Sequence, residues 1–92
     1  MNTPIENSRN LGPVTAAECA SFGVTKLEQI KGMGWEEFCI IYVENYPNRL
    51  NLNVFSAVIG AIYDQDWRKI DQDLKLEAKK LLKQLKRVDL VL

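Results

Sequence analysis

Glycine and proline residues divide the chain into short segments, and within these segments hydrophobic residues recur three or four positions apart. This spacing is typical of one buried helix face. The clearest example is the set Leu52, Phe55, Val58, Ile59 and Ile62. No segment shows the alternation of hydrophobic and polar residues that strands favour. With 92 residues the chain suits a single small domain. We therefore predict an all-α fold, with a flexible arm over residues 1–8 and one compact five-helix domain over residues 9–92.

Two segments begin with the Thr-x-x-Glu spacing of a capping box, Thr15 with Glu18 and Thr25 with Glu28. In this motif the threonine oxygen and the glutamate each accept from a free N–H at the helix start. The first two predicted helices therefore begin at these threonines. Each is followed by a glycine suited to a left-handed helix end, namely Gly23 and Gly32.

The third predicted helix runs from about Trp35 to Tyr46 and stops before Pro47. Phe38, Ile41, Tyr42 and Tyr46 are its expected buried face. Asn51 is the predicted cap of the fourth helix, which contains Gly60. A glycine inside a helix costs about 1 kcal/mol relative to alanine, so we interpret Gly60 as a point where another helix approaches closely.

The last predicted helix begins after Asp71 and reaches about Val88. It carries an apolar seam with alternating spacings of four and three residues, which is typical of one packed helix face. The seam consists of Leu74, Ala78, Leu81, Leu85 and Val88. Trp67, in the polar connection before this helix, is predicted to close the core.

The formal net charge is zero, but the charges are unevenly distributed. Residues 1–67 carry four basic and eight acidic side chains, and residues 68–92 carry eight basic and four acidic ones. Phosphate is therefore repelled on average by the first part of the chain and attracted by the last part.

The sequence disfavours several classes of enzyme and membrane protein. Histidine, the usual general base and metal ligand, is absent. Cys19 and Cys39 lack metal-ligand spacing, so we expect both to pack as small apolar residues in a reducing compartment. No apolar run approaches the roughly 18 residues of a membrane helix, and residues 1–10 do not resemble a signal peptide. We expect a cytoplasmic protein without cofactor, metal, membrane association or small-molecule substrate.

Two glycine turns have the spacing of a helix-hairpin-helix motif, in which N–H groups at the next helix start bind phosphate. One is formed by Leu27, Ile30, Gly32, Met33 and Gly34. Glu36 and Glu37 follow it and oppose a phosphate, so a structural helix reversal is favoured there.

The other turn, at residues 10–12, has asparagine in the first glycine position, and asparagine tolerates left-handed geometry. Arg9 lies beside this turn. The first predicted nucleic-acid contact region therefore consists of Arg9, Asn10, Gly12 and Lys26. The alternative is that this turn, too, only reverses the chain.

A second predicted contact region lies on the lysine-rich last helix and consists of Lys79, Lys80, Lys83 and Arg87. Such a face is also typical of a helix that is simply exposed to solvent. The terminal residues 88–92, VDLVL, are apolar and are expected to fold back on the core or to bind a partner.

Several separated blocks of residues resemble the C-terminal domain of the TfoX/Sxy competence regulators. The matching positions are Asn10, Leu11, Gly12, Pro13, Gly23, Val24, Thr25, Leu50, Asn51, Leu52, Ala57, Gly60, Ala61 and Trp67. The resemblance implies an all-helical domain with a helix-hairpin-helix-like (SAM-like) N-terminal half, linked to transcriptional regulation of DNA uptake in bacteria. It implies no catalytic residues.

We therefore predict a non-enzymatic bacterial regulatory or interaction domain that contacts DNA or a transcription-linked protein. The alternative is a protein-interaction module, for instance a homodimer, that uses the apolar seam and VDLVL and has no nucleic-acid role. A small enzyme would need perturbed carboxylates in a pocket, for which Asp64 and Asp66 are the candidates. These two residues fit a turn better.

Overall fold

The structure is a computed structural model that describes the backbone of residues 3–91 and the side chains of residues 3–86. Its helices are α1 (Pro13–Ala20), α2 (Leu27–Met33), α3 (Trp35–Asn45), α4 (Leu52–Tyr63) and α5 (Gln72–Val91). Single 3₁₀ turns cover Ile5–Asn7 and Pro47–Arg49. The Cα radius of gyration, 12.5 Å, is close to the roughly 12 Å expected of a compact chain of this length. The predicted all-α fold with five helices is confirmed over residues 3–91.

Helix α4 lies at the centre of the core and packs against α2, α3 and α5. Phe55, Val58 and Ile59 are fully buried, as the helical spacing predicts. From α5, Ala78 and Leu81 pack into the same core. The predicted apolar seam is thus confirmed as a core face as far as Leu85, whereas Val88 and the rest of VDLVL lie outside the described side chains.

Helix α3 ends within one residue of its predicted boundary, and Tyr46 is its C-terminal cap. Phe38 and Tyr42 are fully buried, as predicted, while Ile41 is only half-buried. The N-terminal end of this helix buries Trp35 as well. The core face therefore begins one turn earlier than the sequence pattern indicated.

The N-terminal segment is not a loose arm over the residues that the structure describes. Ile5 is fully buried in the core. The carbonyl of Thr3 accepts from the N–H of Leu27 at 2.9 Å. The N–H and hydroxyl of Thr3 donate to the carboxylate of Glu28 at 2.8 and 2.9 Å. The prediction of a flexible arm is wrong for residues 3–8, because a polar segment is held here by contacts with α2.

Both predicted capping boxes are wrong. Helix α1 starts at Pro13 with Gly12 as its cap, so Thr15 lies inside the first turn. Proline suits this first position because its fixed φ is already helical and it has no N–H to leave unpaired. Before α2, the side-chain oxygen of Gln29 accepts from the N–H groups of Thr25 and Lys26, at 2.8 and 2.9 Å.

The two predicted asparagine and aspartate caps are confirmed. The side-chain oxygen of Asn51 accepts from the N–H of Val54 at 2.9 Å and opens α4. The side-chain oxygen of Asp71 accepts from the N–H of Asp73 at 2.9 Å at the start of α5. These caps depend on residues three positions apart or fewer, which is why local spacing identifies them.

The second glycine turn connects α2 to α3 through a single residue, Gly34. Gly32 lies inside α2 and does not end it, contrary to prediction. Gly34 has φ 91°, a left-handed conformation that favours glycine. Its N–H donates to the carbonyl of Ile30 at 2.9 Å and its carbonyl accepts from Phe38 at 3.1 Å. The same residue thus ends α2 and begins α3.

Trp67 does not close the core. It is 40% exposed, and Ile70 is buried in the same connection between α4 and α5. Helix α4 ends at Asp64, whose φ of 56° is left-handed. The polar residues before Trp67 follow directly after this turn. Ile70, three residues after Trp67, therefore takes the place that we expected for the tryptophan.

Candidate functional site

Asn10, a predicted phosphate contact, has its side chain bonded within the domain. Its side-chain amide donates to the carbonyl of Gln65 at 2.8 Å, and its side-chain oxygen accepts from the N–H of Trp67 at 3.3 Å. Its φ of 70° is the left-handed geometry that the sequence suggested. Both ends of this side chain are thus occupied by the connection between α4 and α5, and the asparagine serves to join the first turn to that connection.

The same contact leaves room only for a glycine at position 60. A Cβ at this position would collide with the side-chain nitrogen of Asn10 and the backbone carbonyl of Gln65. The prediction of a close approach at Gly60 is therefore correct, but the partner is a loop and an asparagine side chain, and no neighbouring helix is involved.

The remaining residues of the first predicted contact region do not form one cation site. Nη1 of Arg9 lies 3.6 Å from Oδ1 of Asp64. Lys26 pairs its backbone with Pro4. Gly12 caps α1, and a Cβ there would meet open space. Among the described residues, Arg9 is therefore partly neutralised and no contact joins it to Lys26.

The two aspartates considered for catalysis are engaged in turns. Asp64 forms the left-handed end of α4. Asp66 accepts from the N–H and guanidinium of Arg68 at 2.9 to 3.2 Å. The Arg68 guanidinium, helped by its N–H, lowers the pKa of Asp66 to about 2. This geometry matches the interpretation of both residues as turn-forming.

Four lysines of α5 form a single surface, which we name the lysine stripe: Lys75, Lys79, Lys83 and Lys86. Successive helical residues are about 100° apart, so these four fall within roughly 80° of arc. Lys79, Lys83 and Lys86 are exposed, and Lys75 is half-buried. Lys75 and Lys86 were not part of the predicted region, although the helical period links them to it.

The other residues of the second predicted region lie off the stripe or outside the described side chains. Lys80 turns toward the acidic side of α5, where its Nζ lies 3.7 Å from Oε1 of Glu77. Arg87 lies outside the described side chains. Asp73 also falls on the side of Lys80, so no acidic residue of the described part of α5 lies within the arc of the stripe.

A second group of polar side chains comes together at Glu18, and no local pattern of residues indicated it. Nε and Nη2 of Arg49 donate to its two oxygens at 2.9 and 2.8 Å. The hydroxyl of Tyr42 donates to the same carboxylate. The side chains of Glu18 and Arg49 are 16% and 29% exposed. Such paired N–H bonds fix the orientation of a guanidinium.

The contacts within this group shift the pKa values of Glu18 and Tyr42. The Arg49 guanidinium holds the pKa of Glu18 below its usual range, although partial burial opposes this shift. Burial, and then the hydrogen bond to Glu18, raise the pKa of Tyr42. At neutral pH the group therefore consists of an ionised carboxylate, a charged guanidinium and a neutral phenol.

A cavity of about 200 Å³ lies beside this group, between α1 and α4. Leu11, Val54, Ala57 and Val58 form its apolar wall. Arg49 and Tyr42 contribute polar atoms to it, together with Thr15 and Asn53. The lining of the cavity thus combines apolar side chains with polar residues, Arg49 among them.

Glu18 is expected to make the stability of the domain depend on pH. Because its pKa is lowered on folding, its stabilising contribution is present above the unfolded value of about 4.3 and is lost as pH falls through the folded value. Glu18→Gln should lower the free energy of unfolding by about 1–2 kcal/mol at pH 7. It should then lose less stability than the wild type between about pH 5 and pH 2. Urea denaturation at a series of pH values measures both effects.

Glu37→Gln is the matched control, because Glu37 is exposed on α3. It should leave the stability at pH 7 within about 0.5 kcal/mol of the wild type. If Glu18→Gln and the wild type lost the same stability in acid, the Arg49 contact would have no energetic role.

Both cysteines are buried, as predicted, at 0% and 1% exposure. Burial raises the pKa of Cys19 to about 12 and also raises that of Cys39. Within the part of the chain that the structure describes, no three His, Cys, Asp or Glu side chains are grouped as metal ligands. In the same part, no helix combines the length and the apolar character needed to cross a membrane.

Comparison with known proteins shows the fold alone. The chain is similar to a crystal structure, in a triclinic form, of an uncharacterised protein from Listeria monocytogenes. The TM-score is 0.83 and the sequence identity 23%, over 91% of this chain and 94% of the other. No protein-family model and no curated protein sequence matches the chain. The resemblance to the TfoX C-terminal domain and its SAM-like half therefore stays a prediction.

Proposed function

We propose that this chain is a non-enzymatic bacterial regulatory domain that binds duplex DNA through the phosphate backbone, using the lysine stripe of α5. The observation that carries the proposal is the stripe itself. It presents four lysines on one side of a helix, with no acidic side chain of residues 72–86 in the same arc. Clustered cations on one helix face are the electrostatic feature expected of a backbone-binding surface.

The dimensions of the stripe suit this role. Lys75 and Lys86 are eleven positions apart, which is about 16 Å along a helix axis. One strand of duplex DNA carries a phosphate about every 3.4 Å of axis. The lysine stripe is therefore about as long as the stretch of one strand that holds five consecutive phosphates. Lysine acts on phosphate as a point charge and needs no fixed geometry.

The charge of the rest of the domain favours one orientation. Residues 1–67 carry twice as many acidic as basic side chains. Phosphate is repelled by this part and attracted by α5. We therefore expect the domain to approach DNA with α5 facing the duplex. Such contacts carry no base information, and binding is expected to be alike at all sequences.

The charge-reversal variant Lys79→Glu with Lys83→Glu is expected to weaken binding to a random duplex by about tenfold or more. Both residues are exposed and neither has a described ion pair, so the fold should be unaffected. Fluorescence anisotropy of a labelled duplex at low salt measures the dissociation constant of each protein.

The matched control is Lys26→Glu with Lys31→Glu on the α2 side, which makes the same change in net charge. Because Lys26 belongs to the first predicted contact region, this control also tests that region. It should weaken binding much less than the α5 variant. Equal weakening by both variants would mean either that net charge governs binding or that the α2 side binds DNA as well, and in both cases the lysine stripe would lose its specific role.

Protein interaction remains the second candidate, supported by one observation. Leu76 is 53% exposed on α5, beside the stripe. The apolar seam that we first considered as an interface is occupied by the core of the same chain, since Ala78 and Leu81 are buried. A salt-insensitive dimer that Leu76→Ser dissociates, without any DNA binding, would favour this candidate.

A further inference from the structure

The cavity between α1 and α4 combines an apolar wall with a fixed guanidinium, and we propose that it binds a small carboxylate with a short apolar body. This goes beyond the proposed DNA contact, because no residue of α5 lines the cavity. Ligand sites are typically apolar hollows with a few convergent polar groups that set the orientation of the ligand.

Arg49 supplies the charge that would recognise the carboxylate. A guanidinium has five N–H groups. Two of them, on Nε and Nη2, are bonded to Glu18. The other three, on Nη1 and Nη2, are not bonded to Glu18; the Tyr42 hydroxyl lies near the guanidinium, and no other described acid pairs with it. Since Glu18 fixes the plane of the guanidinium, the edge that carries these N–H groups is already oriented for a second planar anion.

The donors around the cavity favour an anion over a cation. The carboxylate of Glu18 accepts two bonds from Arg49 and one from the hydroxyl of Tyr42, so three of its roughly four acceptor positions are occupied. Asn53, which also lines the cavity, has no described hydrogen bond and offers both an amide donor and a carbonyl acceptor. A cationic ligand would instead meet the positive charge of Arg49.

The size of the cavity limits the body of the ligand. Its volume of about 200 Å³ is below the roughly 300–1,000 Å³ of sites for drug-sized molecules. Leu11, Val54 and Ala57 offer hydrocarbon contacts for one ring or a short branched chain. Benzoate has this size and charge, and benzamide is its neutral analogue of the same shape.

The test is a titration of the full chain with benzoate and, separately, with benzamide, followed by two-dimensional ¹H–¹⁵N NMR. Benzoate should shift the backbone signals of Leu11, Asn53 and Val54 and should saturate at roughly millimolar concentration, as expected of so small a ligand. Benzamide should bind about tenfold more weakly. Equal shifts with both probes, shifts confined to α5, or no saturation would overturn the proposal.

Two variants keep the test decisive. Ala57→Leu places extra side-chain volume in the cavity and should abolish the benzoate shifts, while Ala17→Leu, exposed on α1, should preserve them. If Ala57→Leu fails to fold, Glu18→Gln combined with Arg49→Gln removes both charges together. That double variant should lose the preference for benzoate over benzamide. Benzoate shifts that survive in folded Ala57→Leu, or a preference for benzoate that survives in the double variant, would overturn the proposal.

Discussion

Replacing Ile5 with alanine is expected to lower the free energy of unfolding by about 2–5 kcal/mol, the range found for large-to-small changes in protein cores. Ile5 is fully buried and belongs to the same core as α3 and α4. Truncation would remove hydrophobic burial and leave a cavity that the neighbouring helices cannot fill completely. Guanidinium denaturation followed by circular dichroism measures the loss.

Glu6→Ala is the matched control, since Glu6 is exposed in the same 3₁₀ turn. It should change the stability by no more than about 0.5 kcal/mol. Small and equal effects of the two substitutions would mean that residues 3–8 are not packed on the domain and that our original prediction of a loose arm was right.

The second large effect is expected at Gly60, where alanine should destabilise the domain by about 1–3 kcal/mol. Helix propensity alone predicts the opposite sign, because alanine is favoured over glycine by about 1 kcal/mol. Steric contact should prevail, since the new methyl group would meet the amide of Asn10 and the carbonyl of Gln65. The carbonyl belongs to the backbone, so the clash is relieved only if the connection after α4 moves.

Gly32→Ala provides the matched control for this substitution. Gly32 lies inside α2, and a Cβ there would meet no atom within 4 Å. This variant should therefore stabilise the domain by about 0.5–1 kcal/mol. The melting temperatures of the two variants should shift in opposite directions. A Gly60→Ala variant that melted above the wild type would refute the close contact with Asn10.

Some features that depend on neighbouring residues were predicted correctly from the sequence, whereas both Thr-x-x-Glu capping boxes were not. Asn51 and Asp71 cap helices through bonds to residues two or three positions away. The buried face of α4 follows directly from the 3.6-residue period. In the same way, the period of α5 is sufficient to place the four lysines of the stripe on one side once the helix is known.

Contacts between residues that are far apart in the sequence were not predicted. Glu18 and Arg49 are 31 positions apart, and Asn10 and Gln65 are 55 apart. No local pattern pairs such residues, so Glu18 was assigned to a capping box and Asn10 to a phosphate turn. Their real roles follow from the packing of α1 against the rest of the chain, which secondary-structure signals do not specify.

The salt dependence of DNA affinity is the most direct test of the proposed function. If the four lysines of the stripe each contact a phosphate, the logarithm of the association constant should fall with the logarithm of salt concentration with a slope of about −3.6. The neutral variant Lys79→Gln with Lys83→Gln should reduce this slope to about half. A slope that the variant leaves unchanged, or an absence of binding at low salt, would contradict the assignment of the lysine stripe as a DNA-binding surface.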